Sequence, residues 1–224
     1  ALRYLEQSLK IRQDIGDRKG EGATLNNIAG IHRAKGDYDT ALRYLEQTLK
    51  IVQEIGDRKN EGGTLNNISQ IYKVKGDYDT ALRYLEQSLK IRQDIGDRQG
   101  EGVTLNNISQ IYAAKDDYDT ALRYLEQSLK IQQDIGDRKG ESTTIGNMAS
   151  IFRKKGDYDK AYQFFIKDLE ICQAIGDMHG MAITLHNIGT MSFEQGDLEA
   201  AVAPIFQAYQ IFERIGSPTK DVSL

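Results

Sequence analysis

Apolar and polar positions along this chain follow a helical rhythm, and two kinds of helix alternate. Between residues 78 and 95, Tyr78, Ala81, Leu82, Tyr84, Leu85, Leu89, Ile91 and Ile95 cover a wide apolar arc at ~100° per residue. Arg83, Glu86, Gln87, Lys90 and Gln93 form the polar strip, with Glu86 and Lys90 at the i,i+4 spacing of a favourable ion pair. Between residues 59 and 75 the apolar side is narrower: Leu65, Ile68, Ser69, Ile71 and Tyr72 gather on one side. Gly63, Asn66, Asn67, Gln70, Lys73 and Val74 lie on the other. A wide arc needs two packing neighbours and a narrow one needs fewer. The first kind, B, is therefore expected to touch the A helix on either side of it.

The pattern repeats. ALRYLEQ begins at 1, 41, 81 and 121, a period of 40 without insertions, and residues 41–80 and 81–120 agree at 31 of 40 positions. By 161 the same stretch has drifted to AYQFFIK, yet IGD at 175–177 and QGD at 195–197 keep the phase. A fixed period of this size predicts stacked supersecondary units in which each buries its apolar face against the next. The turns are GDRKG and its variants at 16–20, 56–60, 96–100 and 136–140, and KGDYD at 35–39, 75–79 and 155–159. Their glycines suit a left-handed helix end, and the aspartates that follow suit a helix N-terminus. The expected fold is all-α: a right-handed superhelical solenoid of antiparallel helix pairs, with A helices inside and B helices outside. It spans 1–216, with a lone B helix at 1–15 and five A/B pairs after it, followed by a C-terminal tail at 217–224.

Composition narrows the function. With 39% apolar and 28% charged residues the chain is ordinary for a soluble globular or repeat protein. No apolar run approaches the ~18 residues that cross a bilayer, so no membrane partner is expected. ALRYLEQSLK opens in mid-pattern with no secretory signal, which suggests a piece of a longer, cytoplasmic protein. The lone Cys172 excludes an internal disulfide and fits a reducing compartment. A net charge of −4 with interleaved signs argues against nucleic acid as a partner.

Leu65-x2-Ile68-Ser69-x2-Tyr72, followed by Gly76-Asp77-Tyr78, Ala81 and Leu85, resembles the tetratricopeptide repeat (TPR). Leu replaces the tryptophan of that pattern, and Ser or Ala replaces the first-helix glycine, which Gly189 keeps. A longer helix B replaces the closing proline, giving 40 residues. This long form is similar to kinesin light chain and to the Leu-Gly-Asn-rich spindle-orientation scaffolds, which His186-Asn187-Ile188-Gly189 matches best. The resemblance implies a concave groove lined by A helices, in which asparagines hold the backbone of an extended peptide.

That implication gives a role to an otherwise awkward feature. Asparagine is a mediocre helix former, yet TLNN recurs at 24–27, 64–67 and 104–107, and Asn147 and Asn187 continue the series. A side-chain amide offers a donor and an acceptor together and can match a peptide backbone of any sequence. The candidate groove comprises Asn26, Asn27, Asn66, Asn67, Gln70, Lys73, Asn106, Asn107, Gln110, Asn147, Arg153, His186 and Asn187. The alternative is that these asparagines bond only to a neighbouring helix and set repeat geometry. Arg33, Lys73, Arg153 and Lys154 outnumber Glu194 along the lining, a bias that favours an acidic peptide or a terminal carboxylate; solvated surface cations are the competing reading.

Catalytic signals are poor. His32, His179 and His186 lack metal-ligand spacing, Cys172 has no supporting histidine motif, and there is no glycine loop for phosphate. The expectation is a non-enzymatic protein-interaction scaffold without metal or cofactor. A regulatory arm of a larger bacterial signalling protein and a self-associating solenoid, stacked end to end, remain as alternatives.

Overall fold

The computed structural model describes residues 1–216, and among them the chain is all-α, with eleven helices and no strand. They fall into two compact units, residues 1–111 and residues 112 onward. The first holds α1 (Leu2–Asp14), α2 (Arg18–Ala34), α3 (Tyr38–Glu54), α4 (Arg58–Val74) and α5 (Tyr78–Asp94), and the boundary falls near the end of α6 (Arg98–Ala114). The second holds α7 (Tyr118–Asp134), α8 (Arg138–Lys154), α9 (Tyr158–Ile175), α10 (Met178–Glu194) and α11 (Leu198–Arg214). The segment 217–224, expected to be a tail, lies outside the described residues.

The helices start and stop where the chemistry of the turns dictates. After α4, Gly76 takes φ 77°, and the N–H of Asp77 closes back on the Tyr72 carbonyl at 2.9 Å. Asp77 then caps α5, its carboxylate accepting from the Thr80 N–H at 3.1 Å. The same Gly–Asp device recurs about every 20 residues. One turn departs from it: Asp116 stands where the others have glycine and is held at φ 58°.

Within each unit, consecutive helices pack as pairs (α2 with α3, α4 with α5, α8 with α9, α10 with α11), and the B helices α1, α3, α7 and α9 also touch the A helix that follows them. In the first unit Ala29, Ala41, Leu42, Leu45, Ile68 and Ile71 form a buried cluster, flanked by Tyr72 and Tyr84. Those rings stack at 5.6 Å between α4 and α5, and Phe152 and Phe164 repeat the contact at 5.2 Å between α8 and α9. Glutamine amides of the B helices join successive pairs by donating to a glutamate that is ion-paired within the next A helix. Glu61, nearly buried at the start of α4, accepts from Arg58 at 2.5 Å and from Gln53 of α3 at 3.0 Å. Glu101 is held likewise by Arg98 and Gln93. Burying a carboxyl group is costly unless such donors surround it.

Two sequence expectations need correction. Among the described residues no ion pair joins Glu86 and Lys90, both of which are exposed on α5, where solvent leaves such a pair little to gain. Ile95 is the C-cap of α5 and 40% exposed, so it does not belong to the buried arc. In the second unit Gly189 has a packing reason. A Cβ there would lie 2.5 Å from Ile205 and 2.9 Å from the Ala201 carbonyl oxygen, so α10 and α11 approach at a contact only glycine allows.

Candidate ligand-binding face

The asparagines of the first unit project from the A helices α2, α4 and α6 and meet one another. Asn67 Nδ2 donates to Asn26 Oδ1 at 3.0 Å, and Asn107 Nδ2 donates to Asn66 Oδ1 at 2.7 Å. Each pair spans 41 residues, so within a TLNN stretch the second asparagine reaches back and the first reaches forward. The packing role held open by the sequence is thus present at two rungs. It does not use up the amides: among the described residues Asn67 Oδ1, Asn26 Nδ2 and the exposed Asn27 side chain carry no hydrogen bond. Asn106 is buried and Asn147 half-buried, and both make polar interactions of their own.

Open space adjoins these amides. A cavity of about 200 Å³ is lined by Asn26, Asn27, Asn60, Gly63, Thr64 and Asn67 among others. A second, of about 180 Å³, lies among Asn26, Asn27, Gly30, Arg33 and Asn67. A Cβ at Gly30 or Gly63 would meet nothing, so packing does not require glycine there. Sequence reasoning left Gly30, Asn60 and Thr64 out of the site. The available signal was an interior helix glycine, which costs ~1 kcal/mol against alanine.

Further along α4, Lys73 Nζ donates to Gln110 Oε1 of α6. Among the described residues Lys73 has no acidic partner, and burial pushes its pKa below the usual lysine range. One turn earlier the Gln70 amide nitrogen is buried with no acceptor. A half-buried cation and an unanswered donor thus stand on the same helix face, and each would be satisfied by an oxygen acceptor.

The expected residues of the second unit are arranged differently. Arg153 Nε lies 3.7 Å from Glu194 Oε2, so the one acid of the lining sits against one of its cations. That corrects the sequence's charge count: Arg153 is not a free positive group. His186 is half-buried with Nδ1 lacking a partner, and Thr190 donates to the His186 carbonyl at 2.8 Å. Asn187 is half-buried, and among the described residues its amide makes no hydrogen bond. Among the described residues no group of three or more His, Cys, Asp or Glu could hold a metal ion, and no helix is long and apolar enough to cross a membrane.

The tetratricopeptide repeat family model matches residues 1–54, 60–134 and 141–214, and the chain belongs to that family. No curated protein matches significantly. Among solved structures the chain is similar to BtubC (BKLC) from P. vanneervenii, with a TM-score of 0.81 at 20% identity over 96% of this chain and 91% of that one. The nearly identical TPR-like repeats of a kinesin light chain from Podosopora anserina superpose with a TM-score of 0.68 at 15% identity, over 87% and 95% of the two chains. NprR in complex with its cognate peptide NprX gives 0.72 at 19% identity, over all of this chain and 65% of that one. At such identities the likeness speaks for the fold alone.

Proposed function

We propose that this protein is a non-enzymatic interaction scaffold that holds an extended peptide along the A-helix face of its repeats, with acidic residues of the peptide placed near Lys73. The observation that carries this reading is the row of amide atoms left free beside the Asn67–Asn26 and Asn107–Asn66 bonds, next to the unanswered Gln70 donor and the uncompensated Lys73 charge. Amide pairs suit a peptide backbone regardless of its side chains, and a partly desolvated ammonium selects for carboxylates. NprR, which shares the fold, is seen with a bound peptide. The test is selection of peptides from a displayed random library on the intact protein. Recovered peptides should be enriched in Asp and Glu and should lose at least about tenfold in affinity on Lys73→Met. Failure to recover any saturable binder, or affinities untouched by Lys73→Met and Asn27→Ala together, would overturn the proposal.

A further inference from the structure

Two substitutions coincide in the second unit. The B-helix position occupied by Thr48, Ser88 and Ser128 holds Asp168, and the A-helix position occupied by Asn26, Asn66 and Asn106 holds Gly146. Asp168 is 6% exposed, wedged between α8 and α10. Its Oδ1 accepts from Ser142 Oγ at 2.5 Å and from Cys172 Sγ at 3.7 Å, and its Oδ2 accepts from Thr184 Oγ1 at 2.6 Å. Among the described residues no Lys, Arg or His pairs with it, and the nearby charge of Asp177 has the same sign. Burial therefore raises the carboxyl pKa, and the hydroxyl donors offset only part of that effect.

The carboxylate lies beneath the missing side chain. A Cβ at position 146 would stand 3.1 Å from Asp168 Oδ2, and Gly146 is itself partly open to solvent. The rung that would cover the gap is also absent. Asn67 and Asn107 each donate to the asparagine 41 residues earlier, but the residue 41 before Asn187 is Gly146, which has no side-chain acceptor, and among the described residues the Asn187 amide makes no hydrogen bond. Had aspartate merely filled the volume that asparagine vacated, a neutral side chain would have done so without the cost of burying an acidic group.

We propose that the gap over Gly146 is a binding site for a primary ammonium group, with Asp168 Oδ2 as the countercharge and Asn187 Oδ1 as a second acceptor. A compact ammonium needs only one carboxylate oxygen as its acceptor, whereas a planar guanidinium pairs best with both oxygens of a carboxylate. A divalent metal would want more anionic oxygens than this site offers. The ammonium would also draw the Asp168 pKa back down. The site rests on the peptide-binding reading only for the source of its ligand, a peptide N-terminus or a lysine side chain.

The test uses n-butylammonium chloride as the lysine-like probe and alanine methylamide as the N-terminal one, titrated into the intact protein while the backbone amide resonances of Gly146 and Asn187 are followed. Tetramethylammonium chloride, a cation without a donor, is the control. Saturable shifts with either primary amine but not with the control are expected, and the tighter of the two names the source. Binding should weaken at least about tenfold in Gly146→Ala, which roofs the carboxylate, and in Asp168→Ser, which restores the residue of the sibling repeats and so preserves folding. No saturation by either amine, equal shifts with tetramethylammonium, or unchanged binding in Asp168→Ser would overturn the site. None of these results bears on peptides selected at Lys73, so the two readings fail separately.

Discussion

Replacing Asn67 and Asn107 together by alanine distinguishes a face that grips a ligand from one that only registers its helices. Each substitution removes one amide–amide bond, of 3.0 and 2.7 Å respectively, worth ~1 kcal/mol net. The abandoned Asn26 and Asn66 carbonyls are half-buried and can regain water, so no further desolvation loss is expected. Alanine returns ~0.6 kcal/mol per position through helix propensity. The remainder is a loss of ~1 kcal/mol for the pair, or a fall in Tm of about 2–4 °C for a protein of this size. If the free atoms of these amides also hold a peptide backbone, the same change removes one bond or more per position from the complex. That amounts to ~2 kcal/mol and about a thirtyfold weaker Kd. Thermal melting by circular dichroism and titration calorimetry with a selected peptide, on the same preparation, read both quantities. A Tm falling by more than about 10 °C with affinity per folded molecule unchanged would refute the gripping role and leave the rungs as packing devices.

Three further outcomes follow from the geometry. Asp168 binds its proton more tightly folded than unfolded, so the stability linked to it is full below the ordinary carboxyl value of 3.8 and is lost as pH rises through the higher folded value. Tm of Asp168→Ser relative to the natural protein should therefore climb between acid and neutral pH. A flat difference would show that the carboxyl is not perturbed. The difference is the informative quantity, because Asp37, Asp119 and Asp157, held below the usual range by His32, Lys155 and Lys160, act in the opposite sense in both proteins. Asp116→Gly should stabilise by ~1 kcal/mol in urea denaturation, since it relieves a left-handed conformation at φ 58° that glycine adopts freely. Gly189→Ala should destabilise by ~1–3 kcal/mol in the same assay, because its Cβ would meet Ile205 and the Ala201 carbonyl oxygen; an unchanged midpoint would show that α11 shifts without penalty.

The helices were legible because what defines them is local. Apolar spacing, a glycine that can turn left-handed and an aspartate three residues before a free N–H all lie within one turn of chain, so the period of 40 and the alternation of A and B helices follow from the residues alone. The asparagine positions were legible as well, as a polar series on the A-helix face. Their partners were not. Whether Asn67 meets a ligand or Asn26, 41 residues away, depends on how closely and at what rotation α2 and α4 pack, and that is set by the whole buried interface rather than by any segment. The same holds for Arg153, which counts as a free cation in sequence and lies against Glu194 in space. Asp168 is the sharpest case. Its position in the repeat identifies a B-helix residue, but only the tertiary structure puts the carboxylate under Gly146 with no cation paired to it among the described residues, because desolvation and charge pairing are properties of what surrounds a group and not of its neighbours along the chain.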